Sequence, residues 1–222
     1  IKIGSMLDMG CGRGYLLDEA KKIGWKVHGV DYSKNVVKYA REVLALDVEE
    51  ADIVKFKTNK KYDAVVINQV IEHFSDPKPF IVSARLALKS GGIVYIATPN
   101  IYSYLSRFKD KKFDYIIPPE HLSYYSKKSL EYLLTNLNFK FRYCGSWSYP
   151  QDLAGVIKSV FGKNNTTSHM SLKSNIISSD TVSLSKFKKF KSFLFDGVFC
   201  KLFYYLLNIN VGGTNIEVIY QK

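Results

Sequence analysis

The octapeptide Leu7-Asp8-Met9-Gly10-Cys11-Gly12-Arg13-Gly14 lies between two segments of opposite character. Before it, residues 6–9 form a short apolar run of strand type. After it, in residues 15–23, Leu16, Leu17, Ala20 and Ile23 recur at helical spacing. The order is therefore strand, glycine loop, helix. Three glycines alternate, and glycine has no Cβ to stop a backbone from turning sharply or approaching a ligand. Asp8 stands two residues before the first glycine. A second acid, Asp31, ends the next strand-like run in Gly29-Val30-Asp31-Tyr32. A carboxylate at that place can accept hydrogen bonds from both hydroxyls of a ribose.

A dinucleotide would use the same second acid. Its Gly-x-Gly-x-x-Gly fingerprint would place the third glycine at position 15, which is Tyr15. It would also rest its pyrophosphate on the helix N-terminus, where Asp8 suits an ammonium group better. Loop, acid and spacing favour a sulfonium nucleoside carrying an amino-acid tail.

Outward from the loop, periods of two and of 3.6 alternate as far as residue 100. Residues 26–30, 62–67 and 93–97 read as strands. Ser33 is placed to cap a helix to about Ala45, and Asp76-Pro77 to start one ending near Leu88, before Gly91-Gly92. Such alternation predicts an α/β fold: a mostly parallel sheet with helices on both faces. Residues 101–108 and 126–137 read as helices, 139–147 as a strand, and 216–220 as the last strand. Residues 151–183, rich in Ser, Asn, Lys and Thr, show no period and suggest an insertion or lid. The expected organisation is 1–150 as nucleoside-binding domain, 151–210 as basic insertion, and 211–222 returning to the same sheet.

The 222 residues suffice for one large core, and no apolar run reaches the ~18 residues of a membrane span. No basic region followed by an apolar stretch opens the chain, so no signal peptide is expected. Cys11, Cys144 and Cys200 are odd in number and far apart, which argues against a disulfide framework or zinc knuckle and for a reducing, cytoplasmic setting. The net charge of +12 is uneven: +3 over residues 1–100 and +9 over 101–222. A basic second half is read either as solvated lysines or as attraction to an anionic substrate or surface.

With these motifs the sequence resembles the class I S-adenosylmethionine-dependent methyltransferases, from about residue 3 to 147 and again at 216–220. The resemblance implies a Rossmann-like, doubly wound, seven-stranded sheet with S-adenosyl-L-methionine as cofactor. It implies that Asp8, Gly10, Gly12 and Gly14 hold the methionine part and that Asp31, followed by Tyr32, holds ribose. Asp52 and Ile53 would meet adenine, and Asn68 and Gln69 supply the fourth-strand motif. Four further stretches narrow the likeness: Val70-Ile71-Glu72-His73-Phe74-Ser75-Asp76-Pro77, Lys89-Ser90-Gly91-Gly92, Thr98-Pro99-Asn100 and Pro119-Glu120-His121-Leu122-Ser123-Tyr124-Tyr125-Ser126. Together they are similar to the subgroup of ubiquinone-biosynthesis O-methyltransferases and sugar-modifying methyltransferases of polysaccharide clusters.

The expected reaction is O-methylation of a small molecule: a sugar, a phenol or a lipid-linked intermediate. Methyl transfer to a hydroxyl requires loss of its proton, and an imidazole titrating near ~6.5 suits a general base. His73, His121 and Glu72 are the candidate catalytic residues, against a purely structural role. Some relatives bind a divalent metal through Glu-x-x-Glu-His and a later His. Here the first Glu is Gln69, which removes an anionic ligand, and no metal is expected. A metal-assisted RNA 2′-O-methyltransferase and a non-catalytic cofactor scaffold remain as alternatives. No RNA-binding module is recognisable, so nucleic acid is not the expected partner. Lys186, Lys188, Lys189 and Lys191 alternate with Phe187, Phe190 and Phe193, a composition that fits contact with an anionic membrane or simply a helix with solvated lysines.

Overall fold

A computed structural model of the chain describes residues 3–149, 152 and 211–222. The chain divides into two compact units, Ile1–Trp147 with Asn210–Lys222, and Ser148–Ile209. In the second unit the Tyr149 N–H donates to Asp152 Oδ2 at 2.9 Å. Lys186, Lys188, Lys189 and Lys191 lie outside the described residues.

The first unit is built on seven strands: β1 (Ser5–Met9), β2 (Lys26–Asp31), β3 (Val48–Glu50), β4 (Tyr62–Asn68), β5 (Leu88–Pro99), β6 (Lys140–Trp147) and β7 (Asn215–Gln221). Their order in the sheet is β3-β2-β1-β4-β5-β7-β6. Strand β7 runs antiparallel between β5 and β6, and the others are parallel. The helices are α1 (Tyr15–Lys22), α2 (Lys34–Glu42), α3 (Lys78–Ala87), α4 (Tyr104–Lys109) and α5 (Lys127–Asn136).

Alternation along the strands divides the core in two. Met6, Ala64 and Val66 pack with Leu17 and Ala20 of α1 and Val37 and Ala40 of α2. Leu7, Met9, Val65 and Ile67 turn the other way, against Phe80, Ile81 and Ala84 of α3 and Leu130 and Leu134 of α5. Both faces of the central strands are thus covered, which is why 64–67 is continuously apolar. Each fully buried Leu, Ile or Phe among them contributes about 1.5–3 kcal/mol.

Several element ends differ from the sequence reading, each for a local reason. Helix α2 stops at Glu42: Ala45 turns left-handed (φ 49°), and the Leu46 N–H returns to the Ala40 carbonyl, a capping turn that ends the spiral. Ser33 precedes α2, but its side chain makes no capping bond; instead its N–H donates to Asp31 Oδ1. Helix α4 begins at Tyr104 rather than residue 101, because Asn100 Oδ1 takes the Tyr102 N–H and Ser103 Oγ caps Ser106 N–H. Strand β5 begins at Leu88, paired with Tyr62, and runs through Gly91-Gly92 with a register irregularity, where the strand was expected only over residues 93–97. Ser126 caps α5 as its sequence suggests, with Ser129 reciprocating.

Candidate active site

The topology separates the connections leaving β1 and β4, which lie side by side but carry their chains to opposite faces. A crevice at the carboxyl ends of such strands is where open α/β sheets hold ligands.

At that edge the loop after β1 turns through three left-handed glycines, Gly10 (φ 89°), Gly12 (φ 54°) and Gly14 (φ 81°). The Gly10 and Cys11 N–H groups both donate to the Val30 carbonyl, at 2.7 and 3.1 Å, strapping the loop to β2. A Cβ at Gly10 would stand 2.5 Å from Val70 Cγ2, and one at Gly14 2.7 Å from Leu46 Cδ1. A Cβ at Gly12 would meet nothing within 4 Å. Gly10 and Gly14 are therefore packing requirements, while Gly12 borders open space. Gly14 also begins α1, and no side chain caps that helix end.

Two buried carboxyls flank the loop. Asp31 Oδ2 accepts the Gly12 N–H at 2.8 Å, and Oδ1 accepts the Ser33 N–H at 2.9 Å. Each oxygen keeps a further lone pair. Asp8 is 2% exposed, and its Oδ1 has no hydrogen-bond partner. Burial first, then the charge of Asp31, push the Asp8 carboxyl up to about 7. Tyr32, next to Asp31, projects into solvent. Asp52 is exposed in the turn after β3, where it accepts the Val54 N–H at 3.0 Å and pairs with Lys55 at 3.5 Å. Ile53 beside it is buried in the larger core cluster.

The second constellation follows β4. Asn68 is exposed at the strand end. Gln69 adopts a left-handed backbone (φ 56°), its N–H donating to the Ala97 carbonyl and its Nε2 to Asn215 Oδ1 at 3.1 Å. A non-glycine residue held so is a strained position that its surroundings must enforce. Ile71–His73 then forms a single 3-10 turn. Glu72 is 1% exposed; its Oε2 accepts the Thr98 hydroxyl at 2.9 Å, and Oε1 has no partner. Burial is the main cause that raises its carboxyl above the ordinary range.

The backbone carbonyl of Glu72 accepts two N–H groups, from Leu122 (2.8 Å) and Ser123 (3.0 Å), and Ser123 Oγ donates to the Phe74 carbonyl at 2.7 Å. These bonds dock the loop carrying His121 onto the turn carrying His73, bringing the ring centroids to 5.2 Å. His73 Nδ1 bonds the Glu120 carbonyl and His121 Nδ1 the Tyr115 carbonyl, each at 2.8 Å. A carbonyl can only accept, so each Nδ1 donates, and a neutral ring so held has its lone pair on Nε2. One ligating atom from each of Glu72, His73 and His121 lies within 4.8 Å of the other two. Such a trio can take up a proton from a hydroxyl or hold a cation.

The structure thus brings Asp8, Gly10, Gly12, Gly14 and Asp31 into one loop region, and Glu72, His73 and His121 into one cluster; Val70 against Gly10 joins the two stretches of chain. It does not place Gln69 with that trio by hydrogen bonding, and it buries Ile53 in the core. Sequence reasoning missed Thr98 and Asn215. Thr98 belonged to a noticed motif, Thr98-Pro99-Asn100, without an assigned role; Asn215 meets a residue 146 positions away, which no local pattern signals.

Residues 2–143 match the family described as Methyltransferase domain. The ubiquinone biosynthesis O-methyltransferase of Pelagibacter ubique is 34% identical over 100 residues, covering 43% of this chain and 42% of that protein. The enzyme of the same name from Hydrogenovibrio crunogenus is 34% identical over 104 residues, covering 43% of each. The chain spans less than half the length of these curated relatives. Among solved structures, a SAM-dependent methyltransferase from Archaeoglobus fulgidus aligns at TM-score 0.61 and 22% identity, over 100% of this chain and 87% of that one. One from Thermotoga maritima, titled a possible histamine N-methyltransferase, aligns at 0.63 and 14%, over 100% and 84%. The glycine loop with its two acids, the strand order with an antiparallel β7, and the match over 2–143 converge: the chain belongs to the class I S-adenosylmethionine-dependent methyltransferases.

Proposed function

We propose that this chain methylates a hydroxyl of a small molecule, a sugar, phenol or lipid-linked intermediate, with a histidine as general base. The observation that carries this reading is the Glu72, His73 and His121 cluster at the sheet edge, each ring tied through Nδ1 to a backbone carbonyl. The names of the relatives, O-methyltransferases, support oxygen as the acceptor atom.

The bound cofactor supplies a methyl group made electrophilic by sulfonium. Asp8 would meet its ammonium, and Asp31 its ribose hydroxyls through the lone pairs not taken by the Gly12 and Ser33 N–H groups. Tyr32, Asp52, Ile53, Asn68 and Gln69 are assigned to the nucleoside. Nε2 of His73 or His121 would receive the proton that the acceptor hydroxyl loses. Glu72 holds the two histidine segments together and stabilises the imidazolium that forms.

Turnover of labelled cofactor against sugars, phenols and RNA tests the reading. A hydroxylated small molecule should be methylated, and His73→Ala should lower that turnover about a hundredfold or more with cofactor affinity nearly intact. Methylation of RNA alone, or binding without turnover of any acceptor, would reject it.

A second reading has its own observation: Glu72 Oε1 is buried and unpartnered beside two imidazoles. Three acceptors that converge can be satisfied by one divalent cation. Loss of turnover with a chelator, restored by magnesium or manganese, would favour it over the metal-free base. The segment with Lys186, Lys188, Lys189 and Lys191 is proposed, from composition, as a peripheral contact with anionic membrane. No helix among the described residues is long and apolar enough to cross a membrane.

A further inference from the structure

We infer that the cofactor pocket is proton-linked: Asp8 holds a proton when the pocket is free and gives it up as the ammonium group of an amino-acid-bearing nucleoside enters. The inference deepens the cofactor assignment above and rests on it.

The geometry is that of a carboxyl with no reason to ionise until a cation arrives. Asp8, next to last in β1, is almost fully buried, with Oδ1 unpartnered, and forms no ion pair among the described residues. The groups that face it are few. From β2 comes Asp31, a like charge whose oxygens accept the Gly12 and Ser33 N–H groups. From the loop comes the Cys11 thiol, which burial together with Asp8 and Asp31 holds well above its ordinary range and hence neutral. On β4 the residue opposite is Val66, with Asn68 at the strand end. Arg13, the nearest cation in sequence, is stacked over the Tyr39 ring, its guanidinium carbon 5.3 Å from the ring centre. On α1, Tyr15 meets the Tyr39 hydroxyl at 3.5 Å and Asp18 pairs with Lys22 at 2.7 Å.

Burial and a neighbouring carboxylate both disfavour the charged form, and they push the Asp8 carboxyl to about 7. An ammonium group beside it reverses the balance. Its arrival lowers that value and expels the proton, so binding tightens as pH rises through the free-state value. Only the ionised fraction is ready for a cation. Apparent affinity should therefore improve about tenfold between pH 6 and pH 8 and level off above.

The test is calorimetry of S-adenosylhomocysteine binding in buffers of different ionisation heat, which counts protons released. At pH 7 the wild type should release about half a proton per ligand. Wild type and Asp8→Asn differ only in this carboxyl, so the difference between them isolates Asp8; the variant should lose the release. Should Asp8→Asn not fold, the wild type still decides, because 5′-methylthioadenosine carries the same nucleoside without the amino acid and should release no such proton. Asp31→Asn, by removing the like charge, should reduce the release at pH 7 even as affinity falls. Equal affinity at pH 6 and pH 8, or equal proton release by the two ligands, overturns the proposal while leaving the cofactor assignment intact. Failure of S-adenosylhomocysteine to bind at any pH removes the assignment and the proposal together.

Discussion

Gly10 and Gly12 share a left-handed backbone yet have opposite surroundings, so one substitution separates folding from binding. Gly10→Ala meets Val70 and a disfavoured φ and should lose about 2–4 kcal/mol of stability by denaturant titration. Gly12→Ala meets only the φ penalty, about 1–2 kcal/mol, but puts a methyl where the ligand is expected; S-adenosylhomocysteine affinity should fall the more. The reverse ranking would show that Gly12 does not border the cofactor. Asp31→Ala should weaken S-adenosylhomocysteine by about 1.5–3 kcal/mol. Part of that loss comes from freeing the Gly12 N–H, so Asp31→Asn, which can still accept that bond, should bind better than the alanine variant. Unchanged calorimetric affinity in Asp31→Ala would remove the ribose assignment. Asp8 stood out in the sequence because it lies two residues before Gly10, and Asp31 because it ends a strand-like run. The shortage of cations around Asp8 could not be read there, because it depends on where Arg13 turns and on strand β4, some sixty residues further on.

Among the elements, the 3-10 turn Ile71–His73 depends on a neighbour from β5. Thr98→Val keeps the shape but removes the hydroxyl that donates to Oε2 of the buried Glu72. Stability should drop by about 1–3 kcal/mol, with Thr98→Ser close to wild type. Equal melting of the valine variant would mean that Glu72 finds another donor. The central strands were legible because burial on both faces writes itself into runs such as 64–67; β3, with three residues, is too short to show a period and was not read. Nor were the ends of α2 and α4 legible. A left-handed Ala45 and the Asn100 turn arise from backbone bonding, which leaves no mark on residue type. The loop holding His121 was hidden for the same reason: its anchors are the carbonyls of Glu72, Phe74 and Tyr115, and every residue type has one.

At the scale of the whole molecule, the lysine–phenylalanine segment carries a prediction from composition alone. If it lies on an anionic membrane, each lysine contributes about 1 kcal/mol, and binding to anionic vesicles falls steeply with salt because exposed charges are screened beyond ~8 Å. Replacing Lys186, Lys188, Lys189 and Lys191 with Gln should then release the protein without changing S-adenosylhomocysteine affinity. Co-sedimentation indifferent to vesicle charge would end the idea. The sheet itself has a consequence in time. Strand β7 sits between β5 and β6, yet the ribosome delivers it only after the whole stretch from Trp147 to Asn215. A nascent chain emerges with a completed parallel half, β3-β2-β1-β4-β5, and with the edges of β5 and β6 both unpaired, the condition in which chains cross-pair and aggregate. So wide a separation in sequence postpones the step that makes the sheet one piece. Translation stopped short of Asn215 would leave a nearly complete glycine-loop domain with two open seams, dependent on a chaperone until its last strand arrives.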